Sequence, residues 1–341
     1  MKILCLGRLP QDLEEKLLEL APIDFIDRTT ALPDHELIEA LQGKTIILTE
    51  PQDQLNEKVV AAAPELKMIA QRAVGFDNIN LPVCSQNNIL VSNTPGVLDN
   101  ATADLAFALL LACGRRIVEA DSYVRSGQWT GFENDLLLGT EIFGKTIGIV
   151  GMGRIGYAMA KRCHAFSLKI IYSRSGDLGR DDNEIEIDER DKKLALELNA
   201  QRVSLETLLK NSNFVSVHCL LSATTTELIG HKEFSLMPHD CIFINTARGK
   251  IVDEQALADA IFTNKIKGAG LDVFYSEPAV HKLLLAAPNV VLAPHIGSAT
   301  AETRHAMANL AVSAALEAFK NKSKPANLLN PDIWQDWLEK Q

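Results

Sequence analysis

One stretch constrains the fold of this chain more than any other, KTIGIVGMGRIGYAMAKRC at residues 145–163. An apolar run at 146–150 ends in Gly151, Gly153 and Gly156. Apolar residues then recur at Ile155, Ala158 and Met159 with helical spacing. This is G-x-G-x-x-G between a strand and a helix. The first glycine permits the tight turn, the second lets the backbone approach a pyrophosphate, and the third lets the helix pack close to the strand. Free N–H groups at the helix start favour phosphate. The motif in this context predicts dinucleotide binding rather than a merely structural turn. The following strand ends at Ser173-Arg174-Ser175, where a site for NAD carries Asp or Glu on the ribose hydroxyls. Arg174 is a natural partner for a 2′-phosphate, so NADP(H) is expected in preference to NAD(H).

The same alternation extends along the chain. Short apolar runs at 2–6, 45–49, 67–70, 145–150, 169–172, 214–218, 241–245, 268–271 and 290–292 are separated by helical patterns. Continuous apolar strands between helices predict an α/β protein with doubly wound parallel sheets. With 341 residues, about two domains are expected. The segment 100–120 is apolar nearly all round, which predicts a helix buried between domains, between the subunits of a homodimer, or both.

Residues 177–193 hold eight acidic and four basic side chains and read as an exposed loop or irregular helix. The C-terminal tail carries Trp334 and Trp337 and is expected to pack back on the body. A net charge of −10 argues against nucleic acid as a partner. No apolar run is long enough for a membrane span, and the N-terminal residues lack the long apolar region of a secretory signal. Six scattered cysteines without a C-x-x-C pair suggest a reducing, cytoplasmic setting and no metal site.

Doubly wound sheets bind ligands beyond the carboxyl ends of their strands. Three such ends carry chemistry: CIFINTARG delivers Arg248, GAGLDVFYSEP delivers Asp272 and Glu277, and NVVLAPHIGSAT delivers His295. Taken singly, each could be a solvated turn residue. Together, a guanidinium, a carboxylate and an imidazole suit reduction of a 2-oxo acid. The guanidinium clamps the carboxylate and polarises the ketone, the imidazolium gives a proton to the developing alkoxide, and the carboxylate holds the imidazole.

At these residues the chain resembles the D-isomer-specific 2-hydroxyacid dehydrogenases, and among them the glyoxylate/hydroxypyruvate (2-ketogluconate) reductases. The likeness runs over about residues 40–320. It is carried by AVGFDNIN (73–80), NTPGVLDNATADLAFALLLACGRRIVEAD (93–121), GKTIGIVGMGRIG (144–156), NFVSVHC (213–219), INTARGKIVDE (244–254), GAGLDVFYSEP (268–278) and LAPHIGSAT (292–300). It implies two Rossmann-like or flavodoxin-like domains with the active site in the cleft between them. The substrate-binding domain would comprise 1–100 with 294–341, and the dinucleotide domain 101–293.

The resemblance also implies roles. Arg248 would bind the substrate, with Glu277 and His295 as the proton-donating pair, and Val74 and Gly75 would offer N–H groups to the substrate carboxylate. Arg154 and Ile155 would meet the pyrophosphate, and Ser173 and Arg174 the adenosine ribose. Cys219, Thr246 and Asp272 would line the nicotinamide half. Thr102 would approach the cofactor, and His295 through Gly297 and Ser298 would close over it. Family members are usually dimers.

The implied activity is NAD(P)H-dependent reduction of glyoxylate or hydroxypyruvate to the D-2-hydroxy acid. Alternatives are a bulkier acid such as 2-ketogluconate and, in a different class, an NAD(H)-sensing corepressor-like binding protein. The polar loop 49–54, with Glu50 and Gln52, is expected to face the substrate side chain and suits hydroxylated acids.

Overall fold

The computed structural model describes Met1–Lys340. The chain divides into two compact units. One comprises Met1–Leu98 with the chain from Ala299 onward, the other Asp99–Ser298.

Among the described residues, the first unit holds five parallel strands: β1 (Ile3–Leu6), β2 (Ile23–Ile26), β3 (Ile46–Thr49), β4 (Met68–Gln71) and β5 (Leu90–Ser92). Their order is β2-β1-β3-β4-β5, the flavodoxin-like arrangement. The central strands β1, β3 and β4 are buried along their length, as continuous apolar runs require. One face of the sheet packs on the helix Ala301–Phe319 through Ala308, Ala311, Val312 and Ala315. The tail folds onto the same core, as expected. Trp337 is fully buried, stacks on Trp334 with ring centroids 5.4 Å apart, and donates its indole N–H to the Lys67 carbonyl at 3.1 Å.

The second unit holds seven parallel strands: β6 (Thr146–Val150), β7 (Lys169–Ser173), β8 (Ala200–Arg202), β9 (Phe214–Val217), β10 (Ile242–Asn245), β11 (Gly268–Leu271) and β12 (Val290–Leu292). Their order is β12-β11-β10-β9-β6-β7-β8. The direction of winding reverses between β6 and β9, which makes the end of β6 a topological switch point.

Three observations depart from the sequence reading. First, β2, β5 and β8 add to the expected strands. All three are sheet edges, and β2 and β8 carry exposed or half-exposed side chains, so neither shows a continuous apolar run. Second, the segment expected as one helix over 100–120 is two. Helix Asp99–Gly114 buries Ala103, Ala106, Leu109, Leu110 and Cys113 against the seven-stranded sheet of its own unit. Arg116 then takes a left-handed conformation (φ 51°), and the next helix, Ile117–Arg125, buries no residue.

Third, residues 177–193 are not a uniformly solvated insertion. Asp177 and Asp191 are buried, and the segment includes short 3₁₀ turns and the start of helix Glu189–Leu198. Among the described residues no helix is long and apolar enough to cross a membrane.

Candidate active site

The glycine turn sits at the switch point, where β6 gives way to helix Arg154–Ala165. Gly151 has φ 100°, and a Cβ there would lie 2.5 Å from the Cys219 nitrogen beyond β9. A Cβ on Gly156 would lie 2.2 Å from the Gly151 carbonyl oxygen. Both positions therefore need glycine for close backbone approach. Gly153 differs: its Cβ would project into open space, the clearance a pyrophosphate needs. Arg154 and Ile155 open the helix beside it.

Two buried hydroxyls among the expected cofactor residues, Ser173 Oγ at the end of β7 and Thr246 Oγ1 after β10, have no hydrogen-bond partner among the described residues. A buried polar atom left over in this way calls for a partner, which a bound ligand can supply. Open space, a helix start and orphaned hydroxyls along the carboxyl edge of one sheet fit a dinucleotide. Cys219 contributes its backbone to the wall of the turn, and burial pushes its thiol up to about 11, so it is a neutral lining group.

The loop after β12 carries His295, and the structure shows how it is held. Asp272, at the end of β11, is buried and accepts the N–H of Ile296 at 2.7 Å and of Gly297 at 2.8 Å. These bonds hold the chain where His295 has φ 54°, a left-handed conformation that costs a non-glycine residue energy. They also explain why His295 through Ser298 belong with the second unit and the boundary falls a little beyond position 294. Burial raises the Asp272 carboxyl above its ordinary range. Thr102, near the start of helix Asp99–Gly114, is buried with its methyl 3.4 Å from where a Cβ on Gly297 would lie.

His295 Nδ1 lies 2.7 Å from Glu277 Oε2, and the other Glu277 oxygen accepts the Phe274 N–H at 2.9 Å. Burial pushes the Glu277 carboxyl up, but the hydrogen bond and charge of His295, with further help from Arg248, outweigh it and hold the group below its ordinary value. An ionised Glu277 accepts a hydrogen bond from Nδ1–H, which leaves Nε2 as the ring nitrogen not engaged by Glu277. The pair remains about one-third exposed on both sides, 37% and 34%.

Arg248 follows β10 on a turn braced by Asn245. The Asn245 amide donates to the Arg248 carbonyl at 2.9 Å, and its oxygen accepts the Ala247 N–H at 3.0 Å. Gly249 lets this turn meet the segment leading to Glu277, since a Cβ there would lie 1.9 Å from the Phe274 carbonyl carbon. Sequence reasoning missed Asn245 as a brace, although an Asn two residues before a turn is an Asx-turn signal.

The first unit carries the remaining expected residues at its own strand ends. The Val74 carbonyl accepts from the Asn93 amide at 2.8 Å and the Gly75 carbonyl from the Gln71 amide at 3.2 Å. In the loop after β3, Glu50 pairs with Arg72 at 2.7 Å, and buried Asp53 accepts from the Thr49 hydroxyl at 2.8 Å and from Arg28. Gln52 is exposed. A cavity of about 370 Å³ in this unit is lined by Arg8, Glu50, Arg72, Arg304 and His305, among others.

At the β7–β8 end of the second sheet, Arg174 is engaged by acids that sequence reasoning took for solvent-facing. Its guanidinium binds Asp188 at 2.6 Å and Asp191 at 2.5 Å. Arg202 on β8 binds Asp177 at 2.5 Å and Asp191 at 3.0 Å. Among the described residues no group of three or more His, Cys, Asp or Glu is placed to hold a metal ion.

Comparison with known proteins supplies a frame. The model of the NAD-binding domain of D-isomer-specific 2-hydroxyacid dehydrogenases matches residues 107–297. A glyoxylate reductase of Thermococcus litoralis is 44% identical over 337 residues, covering 97% of both chains. A crystal structure of a protein from Thermus thermophilus superposes with a TM-score of 0.85 at 37% identity, covering 96% of this chain and all of that one. An NADPH-dependent glyoxylate/hydroxypyruvate reductase from Sinorhizobium meliloti, solved with NADP and malonate, superposes with a TM-score of 0.82 at 29% identity over 97% of both chains.

Proposed function

The chain belongs to the D-isomer-specific 2-hydroxyacid dehydrogenase family, and we propose that it reduces glyoxylate and hydroxypyruvate to the D-2-hydroxy acids, with NADP(H) preferred over NAD(H). The observation that carries the reading is the 2.7 Å contact of His295 with Glu277, on the same sheet edge as Arg248 and the glycine turn.

A reduced nicotinamide dinucleotide, when bound, supplies the hydride to the substrate C2. Gly151 through Gly156, Ser173, Arg174, Cys219, Thr246, Asp272, Thr102, Gly297 and Ser298 are the residues that would hold it. Arg248 binds the substrate carboxylate and draws electron density from the ketone. The protonated His295 gives its Nε2 proton to the carbonyl oxygen as the alkoxide forms. Glu277 keeps the ring oriented. Val74 and Gly75 add backbone N–H groups to the substrate carboxylate. The balance is one 2-oxo acid, one reduced cofactor and one proton in, and one 2-hydroxy acid and one oxidised cofactor out.

The relatives support a small substrate, since one is named a glyoxylate reductase and another a glyoxylate/hydroxypyruvate reductase. Arg174 and the orphaned Ser173 hydroxyl support a cofactor with a 2′-phosphate. Exposed Ile117, Val118, Val124, Trp129, Phe132 and Phe143 support a homodimer, because apolar side chains in this number are unusual on a monomer surface.

The test is the loss of reduced-nicotinamide absorbance with glyoxylate, hydroxypyruvate, pyruvate, phenylpyruvate and 2-ketogluconate, each with NADPH and NADH. The highest kcat/KM is expected for glyoxylate or hydroxypyruvate with NADPH. A maximum on 2-ketogluconate would move the substrate to the bulkier class. No turnover with any acid would overturn the enzymatic reading in favour of a nucleotide-sensing binder.

A further inference from the structure

The β7–β8 flank carries charges that the reaction itself does not use. Arg174 is held between two carboxylates in very different surroundings. Asp191 is 3% exposed, accepts the Tyr172 hydroxyl, and binds Arg202 at 3.0 Å as well as Arg174 at 2.5 Å. Asp188 is 52% exposed and meets Arg174 at 2.6 and 3.4 Å. Asp188 also caps helix Glu189–Leu198, accepting the Asp191 N–H at 2.9 Å. Beside them, Ser173 Oγ and Arg174 Nε are buried without a partner among the described residues. One guanidinium thus has a fixed carboxylate, a solvent-facing carboxylate and unused polar atoms next to it.

We propose that Asp188 is a cofactor-specificity residue that occupies the face of Arg174 which the 2′-phosphate of NADP(H) must take, while Asp191 is a positioning residue that holds the guanidinium from the buried side. The inference rests on the reading of Arg174 as the 2′-phosphate contact. A phosphate dianion and a carboxylate repel, so the ligand binds by displacing Asp188 from the guanidinium. An exposed ion pair is weak enough to be exchanged in this way. Asp191 has four donors, Tyr172, Arg174, Arg202 and the Asp188 N–H, and almost no solvent, so it stays. Asp188 thereby weakens NADP(H) binding and leaves NAD(H), which presents only ribose hydroxyls, nearly untouched. The acidic segment is then a brake on cofactor discrimination rather than a solvated insertion.

Calorimetric titration with 2′,5′-ADP and with ADP separates the charge effect from turnover. Asp188→Asn keeps a good N-cap side chain and removes the charge. It is expected to bind 2′,5′-ADP roughly two- to fivefold more tightly, with ADP affinity unchanged and the gain shrinking as salt rises. Asp191→Asn should weaken 2′,5′-ADP binding instead. Unchanged or weaker 2′,5′-ADP binding by Asp188→Asn overturns the proposal. Arg174→Ala distinguishes the two levels of failure. If it weakens 2′,5′-ADP while Asp188→Asn does not strengthen it, only the role of Asp188 is lost. If it leaves 2′,5′-ADP unaffected, the reading of Arg174 is lost and Asp188 falls with it.

Discussion

The two flanks of the seven-stranded sheet use charge in opposite ways. Beyond β10, β11 and β12, Arg248, Glu277 and His295 are partly exposed and stand on braced segments: Glu277 is held by the Phe274 N–H, the His295 loop by buried Asp272, and the Arg248 turn by the Asn245 side chain. Beyond β7 and β8, Arg174, Arg202, Asp177 and Asp191 satisfy one another, with Asp177 fully buried. The first arrangement leaves the His295–Glu277 pair about one-third exposed. The second spends most of its charges on each other and holds the sheet edge together. The two flanks therefore differ in bracing: one partly exposed ion pair on segments tied to backbone in one case, a largely buried network of ion pairs in the other.

A clean dissociation follows from this contrast. On the β10–β12 flank, His295→Ala should lower kcat/KM for glyoxylate by on the order of 10²–10⁴, as loss of a general acid does, with little change in thermal midpoint. A variant that unfolds earlier in proportion to its lost activity would break the contrast. On the other flank, Asp177→Asn should cost stability of about 1–3 kcal/mol at neutral pH, because largely buried Arg202 loses the nearer of its two carboxylate partners, and should leave the folded enzyme's kcat nearly intact.

The pH dependence sharpens the second case. Burial pushes the Asp177 carboxyl up, but the Arg202 hydrogen bonds and the Arg174 backbone N–H outweigh it and hold it below the ordinary 3.8. A carboxylate depressed in the folded state stabilises the fold above its unfolded value and loses that stabilisation as pH falls through the folded one. The stability gap between wild type and Asp177→Asn, followed by denaturant titration, is therefore expected to be full above about pH 4 and to close below it. A gap that persists at lower pH would assign the effect to packing rather than charge.

The residues expected to carry the chemistry were legible as candidates because they sit where an apolar strand stops. Arg248, Glu277 and His295 each follow a recognisable strand, and the glycine turn follows β6. What was illegible needed partners from elsewhere. Residues 177–193 read as solvated because Asp177, Asp188 and Asp191 find their cations at the ends of β7 and β8, and β8 is a three-residue edge, Ala-Gln-Arg, with no apolar signal. Arg174 was read as a cation beside an expected ribose-binding position, but its carboxylate partners lie 14 and 17 residues further on in a segment without periodicity. The helix over 100–120 was misjudged for a different reason. Its apolar half is buried by its own sheet, and Arg116 ends it in a left-handed turn that composition does not reveal.

The central claim is that Glu277 acts on the substrate only through His295. A double-mutant cycle in kcat/KM with glyoxylate, comparing wild type, His295→Ala, Glu277→Gln and the combined variant, tests it most directly. The account predicts that the combined variant is no slower than His295→Ala alone. Multiplying losses, or near-normal turnover by His295→Ala, would contradict it.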